Sequence, residues 1–355
     1  MKKVVALLLS AVMAIGMMAG CGEKAPAVDS SVAVESSAAS VAESSEAQEA
    51  EMKIAVILPG SITDESWNHT AYVGLQAIEA MGNYETAYTE NITADQAEEY
   101  FRNYCESGFD FVLGHGAQYG DACCVVAEEY PEVNFFITGN APADIPEEEL
   151  PTNIMFSDYR ECEGAYVCGV VAALMTESGK VGYVGGGNNT TQQSDKNAFI
   201  EGVASIDPAI EVKTVITGTF DDTALGKETA IAMIEEGVDV ILQTCDHTGL
   251  GVLEACNEKD VFCFGYTTDQ SALIEKPELV LTSMLIDIPF MISSQIDLIK
   301  AGNYGGVTFP GLHDGVVSMA PFSASVPAEV AEQVTAIVDQ IKSGEIVITP
   351  NYSEN

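Results

Sequence analysis

The sequence predicts an α/β protein made of two doubly wound lobes, and two observations carry that expectation. Short apolar runs rich in Val, Ile, Leu and Phe recur from Met52 onward. They are continuous rather than alternating, as parallel strands covered on both faces require. Amphipathic segments of helical length separate them, and repeated strand–helix units of this kind build a parallel sheet. About four units precede Asn153 and the series restarts at Glu163, which points to two similar lobes instead of one large sheet.

Taken in order, the chain opens with Lys2 and Lys3 and the apolar run 4–18. That run is shorter than the roughly 20 residues a spanning helix needs. Met18-Ala19-Gly20-Cys21 follows, small residues directly before a cysteine. This is the pattern of a bacterial lipoprotein signal, in which the cysteine thiol is acylated and becomes the new N-terminus. Residues 1–20 are thus expected to be removed and Cys21 to carry lipid, placing the protein on the extracytoplasmic face of the cell membrane. Residues 22–51 are rich in Ser, Ala and Glu and contain no aromatic residue. Such a segment cannot bury enough apolar surface to offset its ordering entropy, so 21–51 is expected to be a flexible stalk.

Strands are expected at 53–58, 111–113, 134–138, 180–184, 211–216, 238–243, 261–265 and 280–283. Helices are expected at 70–81, 94–107, 122–130, 163–178, 193–206, 224–236, 249–258, 288–301 and 328–343. Asp95 and Asp222 fit helix starts, where a negative charge meets the positive dipole end. Gly237, Gly302 and Gly344 fit helix stops. In open α/β sheets ligands sit at the carboxyl ends of the strands, so the loops after Leu58, Leu113, Thr138, Val184, Gln243 and Gly265 are the candidate site.

The formal charge of −40, from 54 acidic and 14 basic residues, argues against nucleic acid as a partner. Neutralising phosphates needs clustered Lys and Arg. The same charge opposes adhesion to anionic lipid, so membrane attachment is expected through the lipid anchor alone, and it disfavours highly anionic ligands. Apart from Cys21, the cysteines are Cys105, Cys123, Cys124, Cys162, Cys168, Cys245, Cys256 and Cys263. They lack C-x-x-C spacing and sit in apolar patterns, as buried free thiols do; a disulfide stays open in an exported protein.

At the candidate loops the sequence resembles the basic membrane protein family of substrate-binding lipoproteins, related to purine nucleoside receptors. Its landmarks are ITDESWNHTAYVGL (62–75), FDFVLGHG (109–116), AEEYPEVNFFI (127–137) and ECEGAYVCGVVAALMTESGKVGYVGG (161–186). FDDTALGKETAIAMIEEGVDVILQ (220–243), TGLGVLEA (248–255), TDQS (268–271) and VLTS (280–283) follow in order, so the resemblance spans 52–322. It implies a type I periplasmic-binding-protein fold with a three-strand hinge, a ligand in the interlobe cleft, and delivery to the permease and ATPase subunits of an ABC importer. Purine nucleosides or bases are the implied cargo. Crossings are expected near 157–161, 283–287 and Pro321. The first lobe would then comprise 52–158 with 285–320, the second 159–284 with 321–350. A monomer without cofactor or metal is expected.

The resemblance places Asp64, Trp67 and Asn68 at the ligand. Trp67 is the only tryptophan in the chain. An indole at a strand's carboxyl end offers a flat face for a purine; the alternative is a packing anchor under the first helix. Asp64 can accept from a ligand hydroxyl or ring N–H, or it can only cap the helix. Asn68 offers both donor and acceptor. His115 and Gly116 follow a strand, and His115 or Tyr119 could line the cleft or merely complete a loop. Phe199 matches an aromatic of the family, with core packing as the alternative. Asp246 and His247 add polar groups at the cleft edge but lack a third ligand at zinc-like spacing.

Three departures from the family pattern bear on cargo. Thr138-Gly139-Asn140 stands where an acid is expected, Thr267 stands where an Asp is expected shortly before Asp269, and Ile286 replaces a Lys. Asn140, Thr267 and Asp269 are nevertheless expected at the cleft. Buried polar partners discriminate strongly, so these changes should alter the cargo. Two rivals share parts of this reading. A sensory, autoinducer-type receptor would use the same fold, and a nucleoside-processing enzyme would need a nucleophile or acid pair. The sequence contains no G-x-S-x-G, metal or phosphate-loop motif to support the enzyme.

Overall fold

The computed structural model describes residues 50–353. The signal segment, Cys21 and the stalk through residue 49 lie outside the described residues. The run MKIAVI forms β1 (Met52–Ile57), buried almost throughout and one strand in from the edge of the first sheet. Around it lie β2 (Tyr84–Thr89), β3 (Phe111–Gly114), β4 (Asn134–Thr138), β5 (Ile154–Ser157) and β11 (Gly306–Thr308). Their order is β2-β1-β3-β4-β5-β11, parallel throughout. The helices of this lobe are α1 (Trp67–Glu79), α2 (Ala97–Glu106), α3 (Gly120–Glu129) and α8 (Ile288–Lys300), which packs on α1.

The second sheet repeats the plan. It comprises β6 (Lys180–Gly185), β7 (Glu211–Ile216), β8 (Val240–Thr244), β9 (Phe262–Thr267), β10 (Val280–Ile286) and β12 (Val317–Met319). The order is β7-β6-β8-β9-β10-β12, parallel except for β12 against β10. Its helices are α4 (Glu161–Met175), α5 (Thr190–Ile206), α6 (Thr223–Glu235), α7 (Asp246–Lys259) and α9 (Ala328–Lys342). In each sheet the first strand is flanked by the next two. That reversal opens a crevice at the strands' carboxyl ends.

Glycine sets the helix spacing in this lobe. A Cβ on Gly169 would stand 2.2 Å from the Phe199 carbonyl oxygen and one on Gly202 2.1 Å from that of Tyr166, so α4 and α5 touch backbone to backbone. All eight described cysteines are free and buried.

The chain crosses between the sheets three times, at 158–160, at Asp287 and at 309–316. The third crossing falls ahead of the expected Pro321, because residues 317–319 already pair with β10 in the second sheet. Residues 317–320 therefore leave the first lobe, and β10 keeps residues 285–286 in the second. The strands absent from the sequence reading have a physical reason too. YETAYT is an edge strand with a half-exposed polar pattern, and β5, β11 and β12 are too short to show periodicity.

Candidate ligand-binding cleft

The carboxyl ends of both sheets converge on a cavity of about 590 Å³, a size typical of small-molecule sites. The first lobe contributes Pro59 and Gly60 after β1, Asp64, Trp67 and Asn68 at the head of α1, Ala117 and Gln118 after β3, and residues 138–140 after β4. The second contributes residues 189–192, Ser194 and Asp195 at the head of α5, residues 219–221 after β7, Asp246 and Tyr266. Asp158, Tyr159, Glu161 and Cys162 line it from the first crossing. Pro350 and Tyr352 complete the wall, and the Asn197 side chain holds that segment by donating to the carbonyls of Asn351 at 2.7 Å and Ser353 at 2.9 Å.

The head of α1 is built by Asp64. Its carboxylate accepts from the backbone N–H groups of Ser66, Asn68 and His69 and from the Asn68 side chain, at 2.7–3.0 Å. These donors are orphaned at a helix start, so Asp64 does the capping that the N-cap residue Ser66 does not. Asn68 in turn accepts from the Gly60 N–H. The turn delivers Trp67 to the cavity. Its indole stacks on His115 with ring centroids 3.7 Å apart and planes 25° apart, and its Nε1–H donates to the Tyr159 hydroxyl at 3.0 Å.

His115 is a neutral support. Its Nε2 lies 3.1 Å from the Trp67 carbonyl, which can only accept, so Nε2 carries the proton and Nδ1 accepts from Thr138 Oγ1 at 2.8 Å. Burial pushes its pKa down to about 3.

Ser66 is free of capping duty because its hydroxyl reaches the other lobe. It donates to Asp246 Oδ1 at 3.0 Å and lies 3.3 Å from Thr267 Oγ1. The Glu65 carbonyl accepts from Thr268 Oγ1 and the Gln270 amide, and Asn140 Oδ1 from Thr190 Oγ1. Glu65, Asp246 and Thr267 all hold positive φ, at 52°, 47° and 66°. For a β-branched Thr this is strained backbone, of a kind that clusters at ligand clamps. Burial, then the Asp64 charge, pushes the Asp246 carboxyl up to about 8, against the Ser66 and Trp67 donors that lower it.

The second lobe presents α5. Residues 192–197 read Gln-Gln-Ser-Asp-Lys-Asn, and every one is buried. Gln192 Oε1 accepts from the Gly186 N–H and Thr244 Oγ1, which anchors the helix to β6 and β8. Lys196 donates to Gln193 Oε1 at 2.7 Å. Asp195 is 0% exposed, and no donor among the described residues reaches its oxygens apart from the neighbouring Glu161 carboxyl. Ser194 Oγ and Glu161 Oε1 are likewise without a partner among the described residues, while Glu161 Oε2 accepts from Tyr266 at 3.0 Å. Burial raises the pKa of both carboxyls, and the Glu161 charge raises that of Asp195 further. Phe220, on the loop after β7, packs over Gly186 after β6, where a Cβ would meet its ring at 2.3 Å.

Of the residues expected from the sequence, Asp64, Trp67, Asn68, Asn140 and Asp246 line the cavity. The others do not. His115 sits behind Trp67; Gly116 is buried in its loop, packed under the Gln118 amide. Phe199 is fully buried in the core beside Tyr183. His247 lies off the cavity at the start of α7, giving its carbonyl to Thr223. Asp269 is exposed and accepts from the Ser271 N–H, and Thr267 meets Ser66 instead. Ile286, at the position of the expected Lys, is core. Glu161, Asp195, Tyr266 and Phe220 escaped the sequence reading. The signal for Asp195 was present: an unbroken polar run in a helix otherwise destined for burial.

A pair of doubly wound lobes closing on a shared cavity defines a bilobal solute-binding protein of the type I periplasmic-binding class. The chain belongs to the Bmp family, described as PnrA-like ABC transporter substrate-binding proteins, whose family model matches residues 51–351. Among curated relatives it is 29% identical to the transcriptional activator protein Med of Bacillus subtilis, over 83% of this chain and 90% of that one. It is 27% identical to an ABC transporter nucleoside-binding protein of Lactococcus lactis, over 84% and 89%, and 27% identical to a purine-binding protein of Brucella abortus, over 84% and 83%. An ABC transporter solute-binding protein of Conexibacter woesei superposes with a TM-score of 0.70 at 26% identity, over 85% of this chain and all of that one.

Proposed function

We propose that the protein is a lipid-anchored, extracytoplasmic receptor that captures a purine-like nucleoside or base and passes it unaltered, as a monomer, to an ABC importer. One observation carries this reading: Asp195, Glu161 and Ser194, each with a buried polar atom that makes no ordinary hydrogen bond among the described residues, line the same cavity as Trp67. An unpaired buried polar group is costly, so an arrangement that retains several beside an aromatic platform suits an occupant that pairs with them. The nucleoside- and purine-binding names of two relatives support the cargo class. Anchoring rests on the Cys21 signal; among the described residues no helix is long and apolar enough to cross a membrane. Asp64, Trp67, Asn68, Asn140 and Asp246, joined by Glu161 and Asp195, are the proposed ligand contacts.

Mass spectrometry of small molecules that co-purify with the protein, with melting shifts for guanosine, adenosine, inosine, adenine and hypoxanthine, tests the cargo. No shift with any of them overturns the purine reading. Chromatography of a nucleoside mixture after incubation tests the absence of turnover, and altered nucleosides would make the protein an enzyme. A second reading, ligand sensing, is favoured by the regulatory name of the Bacillus subtilis relative. Uptake that persists unchanged in a deletion strain would favour it over transport.

A further inference from the structure

The cavity lining is acidic, and one basic group, Arg160, acts on it at Asp158. Asp64, Asp158, Glu161, Asp195, Asp221 and Asp246 line it, and no Lys, Arg or His stands among the described lining residues. Their partners differ. Asp64 is saturated by four donors and Asp246 takes the Ser66 hydroxyl, but Asp195 meets no donor among the described residues other than the Glu161 carboxyl. The Glu161 carboxyl lies beside it, within hydrogen-bonding reach. The nearest ammonium in sequence, Lys196, is engaged by Gln193 at 2.7 Å.

We propose that the cavity selects a positively charged planar nitrogen heterocycle, its cationic edge held between Asp195 and Glu161 and its face against Trp67. This rests on the solute-receptor reading and adds a charge to the cargo. Two acceptor groups side by side in a water-poor site repel unless a proton or another positive charge lies between them. In the free protein that charge is a proton, which the pair retains. A neutral ligand leaves it there, whereas a cation can displace it and form charge-assisted hydrogen bonds with the ionised carboxylates. Trp67, Tyr159 and Tyr266 line the same cavity, and aromatic faces attract a cation. The site as a whole would reject anions such as nucleotides.

Calorimetric titration of the protein at neutral pH tests this with 1-methyladenosine, a cation, against its neutral isomer N6-methyladenosine, with adenosine as the parent. Thiamine serves as a planar non-purine cation and spermidine as a non-planar one. The expected result is at least tenfold tighter binding of 1-methyladenosine than of N6-methyladenosine. Asp195→Asn and Glu161→Gln should reduce that ratio to about threefold or less. Asp195→Asn should melt no lower than the unmodified protein when free, which separates a ligand role from a structural one. If thiamine binds and the nucleosides do not, the cation proposal stands and the purine reading falls. If adenosine or N6-methyladenosine binds as tightly as any cation, the cation proposal falls and the purine reading stands. If no cation binds, or spermidine matches the planar cations, the proposal is overturned.

Discussion

Trp67 and His115 stack face to face at 3.7 Å, so one face of the only indole in the chain is already covered by a neutral imidazole. The ring is held by its Nε1–H bond to Tyr159 and the imidazole by Thr138 and the Trp67 carbonyl. A platform rigid before the ligand arrives loses little entropy on binding. Trp67→Ala should weaken ligand binding at least tenfold, since stacking contributes about 1–3 kcal/mol per base. Titration calorimetry with the co-purified ligand measures it, and an unchanged affinity would place the ligand elsewhere.

His115 should remain neutral across the ordinary pH range. Burial lowers its pKa to about 3, so folding is opposed only as acid forces a proton onto it. Carbon-13 imidazole shifts assigned to His115 should stay at neutral values from about pH 8 to pH 5. A transition near pH 6.5 would mean the ring is solvated and the stack is open.

Asp64 should act first on stability. Asp64→Ala strands three backbone donors and the Asn68 amide at the start of α1. The expected loss is about 2 kcal/mol or more, combining a lost cap with unsatisfied donors. Urea denaturation reads it directly; a loss of affinity without loss of stability would make Asp64 a ligand contact alone.

Ser66 links the lobes, so Ser66→Ala should loosen closure without harming the fold. A hydrogen bond to the largely protonated Asp246 carboxyl contributes about 0.5–1.5 kcal/mol, or roughly two- to tenfold in ligand dissociation rate. Stopped-flow release of bound ligand should accelerate by that order, while the melting temperature of the free protein shifts little. An unchanged release rate would show that the Ser66–Asp246 contact does not hold the closed state.

The raised carboxyl pKa values make a signed prediction. Glu161, Asp195 and Asp246 bind protons more tightly when folded than when unfolded. Stability of the free protein should therefore fall as pH rises from about 4 toward 8. Tyr159, Tyr183, Tyr266, Cys162 and Cys168 around the pair are themselves held protonated by burial, and Asp158 is a further acid raised by burial against the opposing charge of Arg160. Asp195→Asn should be more stable than the unmodified protein at pH 8, and the difference should close by about pH 4. Each tenfold tightening of proton binding that the substitution abolishes is worth about 1.4 kcal/mol of that difference. Urea denaturation of both proteins across this pH range measures it, and equal slopes would mean Asp195 has a partner in solution.

The strands with continuous apolar runs and the helices with clear periodicity were legible in the sequence, because burial on two faces leaves an unambiguous pattern. β2 was not, since an edge strand such as YETAYT carries no run, nor was β12, whose three residues are defined only by pairing with β10. At the site, Trp67 stood out by chemistry and Asp246 by position. Glu161 and Asp195 did not, because their juxtaposition joins two helices whose relevant residues lie far apart in the chain. Phe199 shows the opposite error: an aromatic on the right helix turned inward, where Gly169 makes room for its backbone.

The eight sequestered thiols have a practical consequence. A bulky alkylating reagent can reach them only when the fold opens, so the rate of mass gain in a chain beginning after Cys21 measures how often that happens. Any compound that occupies the native state slows opening in proportion to its occupancy. Extracts of unknown composition can therefore be fractionated by their power to delay labelling, which finds the cargo without first guessing its chemistry.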